Sequence, residues 1–442
     1  MKPRIVILGG GFAGAYCAQA LSKAVGRGEL DVTVVDRNNY FVFYPLLVEA
    51  GTGNLHPRHA VVSIRAFTGA CTFRMGDVTH VDFPSCVVTY RLGGSEIEDR
   101  LPYDHLVLAV GSVTRLPSVP GLLEHAFEIK SLADAVALRD HAIRMLEIAE
   151  ATPDRAQRRS LLHFIVVGGS FTGVEVAGEF HAYLHEACKS YRSLDPGDCK
   201  VTLIEIANRI LPALDEDLSH YAATKMKARG IEILLKTSVA SIDREGALLS
   251  DSRRLDAHTV IWCAGIAPSP LVRSFELPVD SKGYVLCEPS LRVKGFSDVW
   301  AIGDVAVNLD PNGVPYPPTA QHAVRQGGHL ARNLCRVVAG EEPRPFVFKS
   351  LGSLAAIGCR TGVAKILGCK LSGFPAWFLW RTVYLLKMPG LARKVRVVLD
   401  WSVDLFFRRD FVQLGVQRRA SEAVHTGAGR PADPASRPGG CG

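Results

Sequence analysis

Residues 165–176 read IVVGGSFTGVEV, and residues 5–14 read IVILGGGFAG. Each is an aliphatic run that ends in glycines and opens onto a helical stretch. The first carries Gly9-x-Gly11-x-x-Gly14, the second Gly168-x-Ser170-x-x-Gly173. A turn of this spacing needs its first glycine for the bend and its third for close helix–strand packing. The middle position lets the backbone approach a pyrophosphate. The helix that follows aims free N–H groups and a positive dipole end at the phosphates. In each copy an acid closes the next strand, Asp36 after DVTVV and Glu205 after VTLI. Such an acid accepts ribose hydroxyls and repels a 2′-phosphate, so the second copy favours NADH over NADPH, a preference that Arg209 softens. Ser170 adds a hydroxymethyl group where backbone approach matters, yet its hydroxyl can itself bond a phosphate. The second copy is expected to work.

The two turns head longer matching segments. HLVLAVG (105–111) and TVIWCAG (259–265) are buried strands ending in Gly111 and Gly265, and a polar, alanine-rich helix is expected over 131–150. The chain therefore reads as an internal duplication with a period of roughly 155–160 residues. The fold expected is α/β, with two Rossmann-like dinucleotide-binding domains and a C-terminal amphipathic membrane-association segment. Residues 1–115 and 285–345 form the first domain, 116–284 the second and 346–419 the C-terminal segment. Residues 420–442 read as a disordered tail.

At 442 residues, 48% hydrophobic, the chain has room for two or three cores. Its eleven cysteines are scattered, with no CxxC, so zinc, iron–sulfur and thioredoxin-type dithiol chemistry lack support and no metal is expected. The net charge of +7 is uneven: residues 371–419 hold nine Lys/Arg and three Asp. That bias argues against nucleic acid and for one local anionic partner. The apolar run before Gly9 is too short for a signal peptide, and no stretch reaches 18 uncharged apolar residues.

Single residues carry further expectations. Glu175 lies in the first turn of the second helix, either complementing its dipole or assisting charge and proton movement near a ring. Asp304, in VWAIGDVA, either caps a turn or bonds a hydroxyl of an extended cofactor. PPTAQHAVRQGG (317–328) starts a helix after two prolines with Thr319 at its N-cap. Its N-terminus would stabilise negative charge on a reduced ring, and Gln321 and Gln326 suit quinone carbonyls. His322 and His329 are expected to pack or face solvent.

DRNNYFVFYPLL, GGSFTGVEVAGE, VTLIEIANRILP, VIWCAGI, VWAIGDVA and PPTAQHAVRQG, in that order from about residue 4 to 410, resemble the type II NADH dehydrogenases, single-chain NADH:quinone oxidoreductases of the pyridine nucleotide-disulfide oxidoreductase type. The resemblance implies tightly bound FAD on the first turn, with Asp36 on the adenosine ribose and Asp304 on the flavin side. It implies Pro45-Leu46-Leu47 against the flavin ring, and NADH on the second turn with Glu205. Glu175 resembles the family's glutamate near the flavin, and Ala320-Gln321 its quinone-site pair. Ser170 departs from a family glycine, and Phe41 stands where a histidine is common. Cys359 and the tail gain no role.

Residues 374–401 combine Trp377, Phe378, Trp380, Tyr384 and Trp401 with Arg and Lys, the composition of an interfacial helix. A buried helix of a homodimer interface is the competing reading. The expectation is a cytoplasmic enzyme attached to the inner face of the cell membrane, taking a lipid-dissolved quinone and pumping no protons. A flavin-bearing, NADH-responsive redox sensor would show no quinone turnover. A sulfide:quinone reductase or a soluble disulfide reductase would need redox cysteines beside the flavin, and residues 168–178 have none.

Overall fold

The computed structural model describes residues 2–415; the expected disordered tail at 420–442 lies outside them. The first turn joins β1 (Arg4–Leu8) to α1 (Phe12–Gly26), and β2 (Asp31–Asp36) lies parallel to β1. Strands β3 (Thr72–Asp82), β4 (Val87–Leu92), β5 (Glu98–Pro102) and β6 (His105–Leu108) follow. The chain then leaves this sheet for a second one. That sheet uses β7 (Ala126–Phe127), β8 (His163–Val167), β9 (Lys200–Glu205), β10 (Glu232–Leu235) and β11 (Thr259–Trp262). Between its strands lie α2 (Leu132–Ala151), α3 (Phe171–Ala187) and α4 (Glu216–Ala228). The chain returns to the first sheet with β12 (Val299–Ala301) and continues into α5 (Ala320–Val338).

The first sheet has the order β12-β6-β1-β2-β3-β4-β5, and the second β7-β11-β8-β9-β10. In both, the glycine-turn strand sits between the acid-bearing strand and the strand of the HLVLAVG or TVIWCAG segment. The duplication read from the sequence is thus a duplication of topology. Residues Ser112–Thr114 and Ile266–Pro268 pair antiparallel and carry the chain between the two units.

The turns themselves are superimposable in their contacts. Gly9 and Gly168 adopt φ of +99° and +107°, a region that favours glycine. Their N–H groups donate to Val35 O and Ile204 O, each at 2.8 Å. A Cβ on Gly14 would lie 1.9 Å from Gly9 O, and one on Gly173 1.7 Å from Gly168 O. Neither helix could sit where it does with an alanine there.

A third unit follows α5. An antiparallel sheet of β13 (Gly352–Ala356), β14 (Gly362–Ile366) and β15 (Cys369–Gly373) leads into α6 (Phe374–Lys387) and α7 (Leu391–Phe406). The tryptophans behind the interfacial reading are core residues: Trp377, Trp380 and Trp401 are only 7%, 2% and 7% exposed. This corrects the sequence-based reading, which could not tell an aromatic ring at a lipid boundary from one packed on a neighbouring unit. Arg381 explains the position of Trp377 and Trp401. Its guanidinium lies 4.4 Å from the Trp377 ring and 4.6 Å from the Trp401 ring, and it pairs with buried Glu49 at 3.3 Å. Trp401 Nε1 donates to the other Glu49 oxygen at 2.7 Å. No described helix is long and apolar enough to cross a membrane.

Gly173→Ala should cost roughly 1–3 kcal/mol of stability through overpacking against Gly168. Thermal or urea unfolding monitored by circular dichroism reads that loss, and unchanged stability would contradict the close approach.

Candidate functional site

One cavity of about 840 Å³ runs between the two units. Gly9, Gly11, Asp36, Pro45, Gly111 and Asp304 line it from the first unit. Ser170, Phe171, Thr172 and Glu175 enter from the second, and Ala320 and Gln321 from the start of α5. Most of the residues singled out in the sequence therefore converge. Gly14, Gly168, Gly173, Glu205, Gly265 and Gln326 do not line the cavity; the glycines shape the backbone behind it.

The middle position of each turn separates the glycines that packing requires from the one it does not. A Cβ on Gly11 would meet nothing within 4 Å, although Gly9 and Gly14 are hemmed in by backbone. The fold does not need Gly11, so its missing side chain leaves space on the cavity side, as an approaching pyrophosphate requires. Its counterpart Ser170 has φ −71° and ψ −177°, close to Gly11's −73° and −165°. Any residue adopts that backbone. The serine side chain is exposed and makes no capping bond, so it leaves the turn intact and reaches only toward the ligand side.

The acids are held alike. Asp36 Oδ2 accepts from Gly10 N at 2.7 Å and Oδ1 from Asn38 N at 2.8 Å. Glu205 Oε2 accepts from Gly169 N at 2.5 Å and Oε1 from Ala207 N at 2.7 Å. Each carboxylate is thus oriented by its own turn and still has lone pairs for ribose hydroxyls. Burial pushes the Asp36 carboxyl above its ordinary range, opposed by those two backbone donors. The empty Gly11 wall, the oriented carboxylate and the free amides of α1 together fit a dinucleotide diphosphate.

Asp304 follows Gly303, at φ +75°, and accepts from Ser112 Oγ at 3.1 Å. Burial raises its carboxyl, and Lys130 opposes that shift. Lys130 Nζ in turn donates to Ser112 Oγ at 3.3 Å and lies 5.2 Å from the Tyr44 ring. Sequence reasoning missed Lys130 and Ser112 because they lie on connecting segments without a motif. Gln326 turns out to be part of the scaffold. It is 2% exposed and its Oε1 accepts from Gly303 N at 2.7 Å, fixing the turn that presents Asp304. Gln321 lines the cavity, while its amide bonds Ser350 Oγ at 2.8 Å and Leu351 N at 3.1 Å. His322 is buried and bonded to Thr319 Oγ1 at 2.7 Å, so it packs.

Glu175 owes its setting to the third unit. Gly178 lets the turn at Ile357–Gly358 cross α3 closely; a Cβ there would lie 2.5 Å from Ile357 O. The crossing brings Ala356 N to Glu175 Oε1 at 3.3 Å. Burial lifts the Glu175 carboxyl to about 8, with the Ala356 bond opposing the shift. Tyr384 and Lys387, one turn apart on α6, complete this end of the cavity. No cysteine lines the cavity among the described residues.

Residues 3–327 match the pyridine nucleotide-disulphide oxidoreductase family and 350–410 the NDH2 C-terminal domain. The type II NADH:quinone oxidoreductase Ndh of Mycobacterium tuberculosis is 31% identical over 424 residues, covering 92% of this chain and 89% of that protein. This chain belongs to the type II NADH:quinone oxidoreductase family. A probable NADH dehydrogenase of Dictyostelium discoideum is another 31% identical relative, covering 92% of the chain and 90% of its own length. The fold matches that of NDH2 from Plasmodium falciparum in complex with NADH, at TM-score 0.86 and 23% identity over 93% of this chain and all of that one. A sulfide:quinone oxidoreductase from Aquifex aeolicus, 15% identical, shares the fold at TM-score 0.68 over 92% of this chain and 96% of its own. Within the type II NADH:quinone oxidoreductases, then, this chain is a member whose second turn carries an exposed serine.

Ser170→Gly should leave stability within about 0.5 kcal/mol, as expected of a surface position. It should lower the KM for NADH about two- to fivefold with kcat unchanged, the sign of altered ground-state binding alone. Steady-state kinetics with a soluble quinone checks both.

Proposed function

We propose that the chain oxidises NADH and reduces a quinone, with FAD held in the cavity of the first turn and NADH on the second. The carrying observation is the single cavity that reaches from Gly11 and Asp36 to Glu175, Ala320 and Gln321 while opening to the second turn at Ser170. On this reading, 1–115 with 285–345 binds FAD, 116–284 binds NADH and 346–419 serves as a membrane-docking segment. FAD, when bound, takes two electrons from NADH and yields them to the quinone; the protein supplies position and field.

The residues divide the work. Gly11 and the α1 amides face the diphosphate on a turn that Gly9 and Gly14 shape, Asp36 holds the adenosine ribose, and Asp304 with Ser112 a hydroxyl further along. Gly111, just past the strand His105–Leu108, lines the cavity between the units, and Gly265 holds the matching position past Thr259–Trp262. Pro45 closes one wall. The N-terminus of α5 at Ala320 places partial positive charge against the cavity, which favours a ring that gains negative charge. Ser170 faces the NADH diphosphate on a turn that Gly168 and Gly173 shape from behind, and Glu205 excludes a 2′-phosphate. Glu175 holds the proton at the cavity wall: burial keeps its carboxyl neutral, and Oε1 accepts from Ala356 N. Quinone enters beside Gln321, Tyr384 and Lys387.

A membrane face on this segment would keep Phe378 of the residues the sequence pointed to and replace the buried tryptophans by other exposed side chains. Phe374 and Phe378 of α6 are 58% and 59% exposed. Along α7, exposed Leu391, Val395, Leu399, Val403 and Phe406 recur at helical spacing beside Arg393, Lys394 and Arg396. An apolar stripe flanked by cations suits a peripheral location on anionic lipid. A homodimer would compete for the same stripe.

NADH oxidation should be stimulated by a soluble quinone analogue and exceed NADPH oxidation; consumption that no quinone accelerates would favour the redox-sensor reading. Because its pKa lies near 8, Glu175 keeps its proton below that pH and loses it above. Quinone-dependent turnover should therefore fall above about pH 8, and Glu175→Gln should abolish that inflection. Replacing Phe374, Phe378 and Leu399 by serine should weaken co-sedimentation with phosphatidylglycerol vesicles about tenfold. Turnover with soluble quinone should be retained, and undiminished co-sedimentation would refute the docking face.

A further inference from the structure

A second cavity, of about 640 Å³, opens further along α3, where α6, α7 and the turn between β13 and β14 meet. Lys189, Arg229, Arg360, Arg381, Arg408 and Arg409 line it, against three carboxylates. Those carboxylates are already engaged: Arg409 lies 3.7 Å from Glu179, 3.2 Å from Glu186 and 3.9 Å from Asp404. Arg381 is taken by Glu49 outside the cavity. Arg229 donates to Ile357 O at 2.7 Å and Gly358 O at 2.9 Å. Lys189, Arg360 and Arg408 remain without an ion pair within 4 Å among the described residues.

Two further features point at this space. His181, 6% exposed, lines the cavity; the Arg229 backbone is its polar neighbour, but neither ring nitrogen makes a well-formed hydrogen bond. Buried polar atoms are rarely left so, and each unmade bond costs on the order of 1–3 kcal/mol. Burial pushes its pKa down to about 4, so near neutral pH the ring offers one donor and one acceptor. The turn that brings Arg360 in is held in the left-handed region over three successive residues, Gly358 (+77°), Cys359 (+47°) and Arg360 (+55°). Non-glycine residues pay for that conformation and keep it where the surroundings impose it.

We propose that this cavity binds a phosphate group, with Lys189, Arg360 and Arg408 as its cations and His181 as a neutral donor. A tetrahedral phosphate spreads its charge over oxygens that point in different directions and so can meet cations from separate elements as well as an imidazole. Inorganic phosphate does this largely as a dianion near neutral pH, and a phospholipid phosphodiester as a monoanion with two non-bridging oxygens. The group belongs either to an anionic phospholipid, since exposed Phe406 and Phe407 adjoin Arg408, or to a soluble phosphate. The inference is independent of the NADH:quinone reading.

Cys359 lines the cavity and reports its occupancy; Cys369, also exposed but outside it, is the internal control. The full-length protein is alkylated with N-ethylmaleimide, and both sites are followed by peptide mass spectrometry. The arms are millimolar sodium phosphate against sodium chloride at equal ionic strength, and phosphatidylglycerol vesicles against phosphatidylcholine vesicles. Cys359 alkylation should slow about fivefold in a phosphate-bearing arm, with Cys369 unchanged. Protection by phosphate marks a soluble ligand, and protection by phosphatidylglycerol alone marks a lipid headgroup. The double variant Arg360→Gln, Arg408→Gln should lose the protection, and Lys189→Gln, on a separate element, should weaken it. Equal alkylation in all arms, or protection that survives the double variant, overturns the proposal.

Discussion

Two hydrogen atoms set the geometry of this protein. Where Gly14 meets Gly9 O and Gly173 meets Gly168 O, the helix can lie against its strand only because no Cβ intervenes. From that contact the rest follows in order. The helix axis points its free amides at the strand's end, and the neighbouring strand brings its acid back to the turn's own N–H. The next strand over ends in a glycine at the mouth. Because both copies obey the same constraint, the two glycine turns are built on one plan, and the middle position, where no backbone crowds a Cβ, is free to differ. Ser170 is such a divergence.

The third unit depends on a different kind of interaction. Arg381 between two indoles, with Glu49 taking both its guanidinium and the Trp401 N–H, ties α6 and α7 to the short helix Leu47–Gly51 that follows Pro45. A buried pair of this sort adds little over an apolar substitute, yet removing one partner strands the other at a cost of about 3–5 kcal/mol. Its value lies in position: it holds Tyr384 and Lys387 at one end of the cavity and carries the β13–β14 turn over Gly178.

The sequence was most informative where backbone geometry demands a residue type. Gly9, Gly14, Gly168 and Gly173 with their trailing acids made the duplication and both nucleotide turns legible. It was least informative where a polar side chain has several possible neighbours. Gln326 looks identical on paper whether it faces a cavity or clasps Gly303 N, and only the tertiary arrangement separates the two. The indoles of 377, 380 and 401 failed the same way, because amphipathic composition does not say which neighbour covers it. Lys130 and Ser112 had no pattern at all; they meet Asp304 across connections between units.

The strand order has a consequence for how the chain is made. The second sheet is assembled wholly from residues 126–262, but the first waits for Val299–Ala301 to cover His105–Leu108. During synthesis the duplicated half that begins later is therefore the first to have all its strands. Until residue 301 emerges, the earlier half presents an open, fully apolar edge at Leu106–Leu108, the kind of edge that recruits foreign strands. The nascent chain is most vulnerable to mispairing over that interval of some two hundred residues, from β6 to β12.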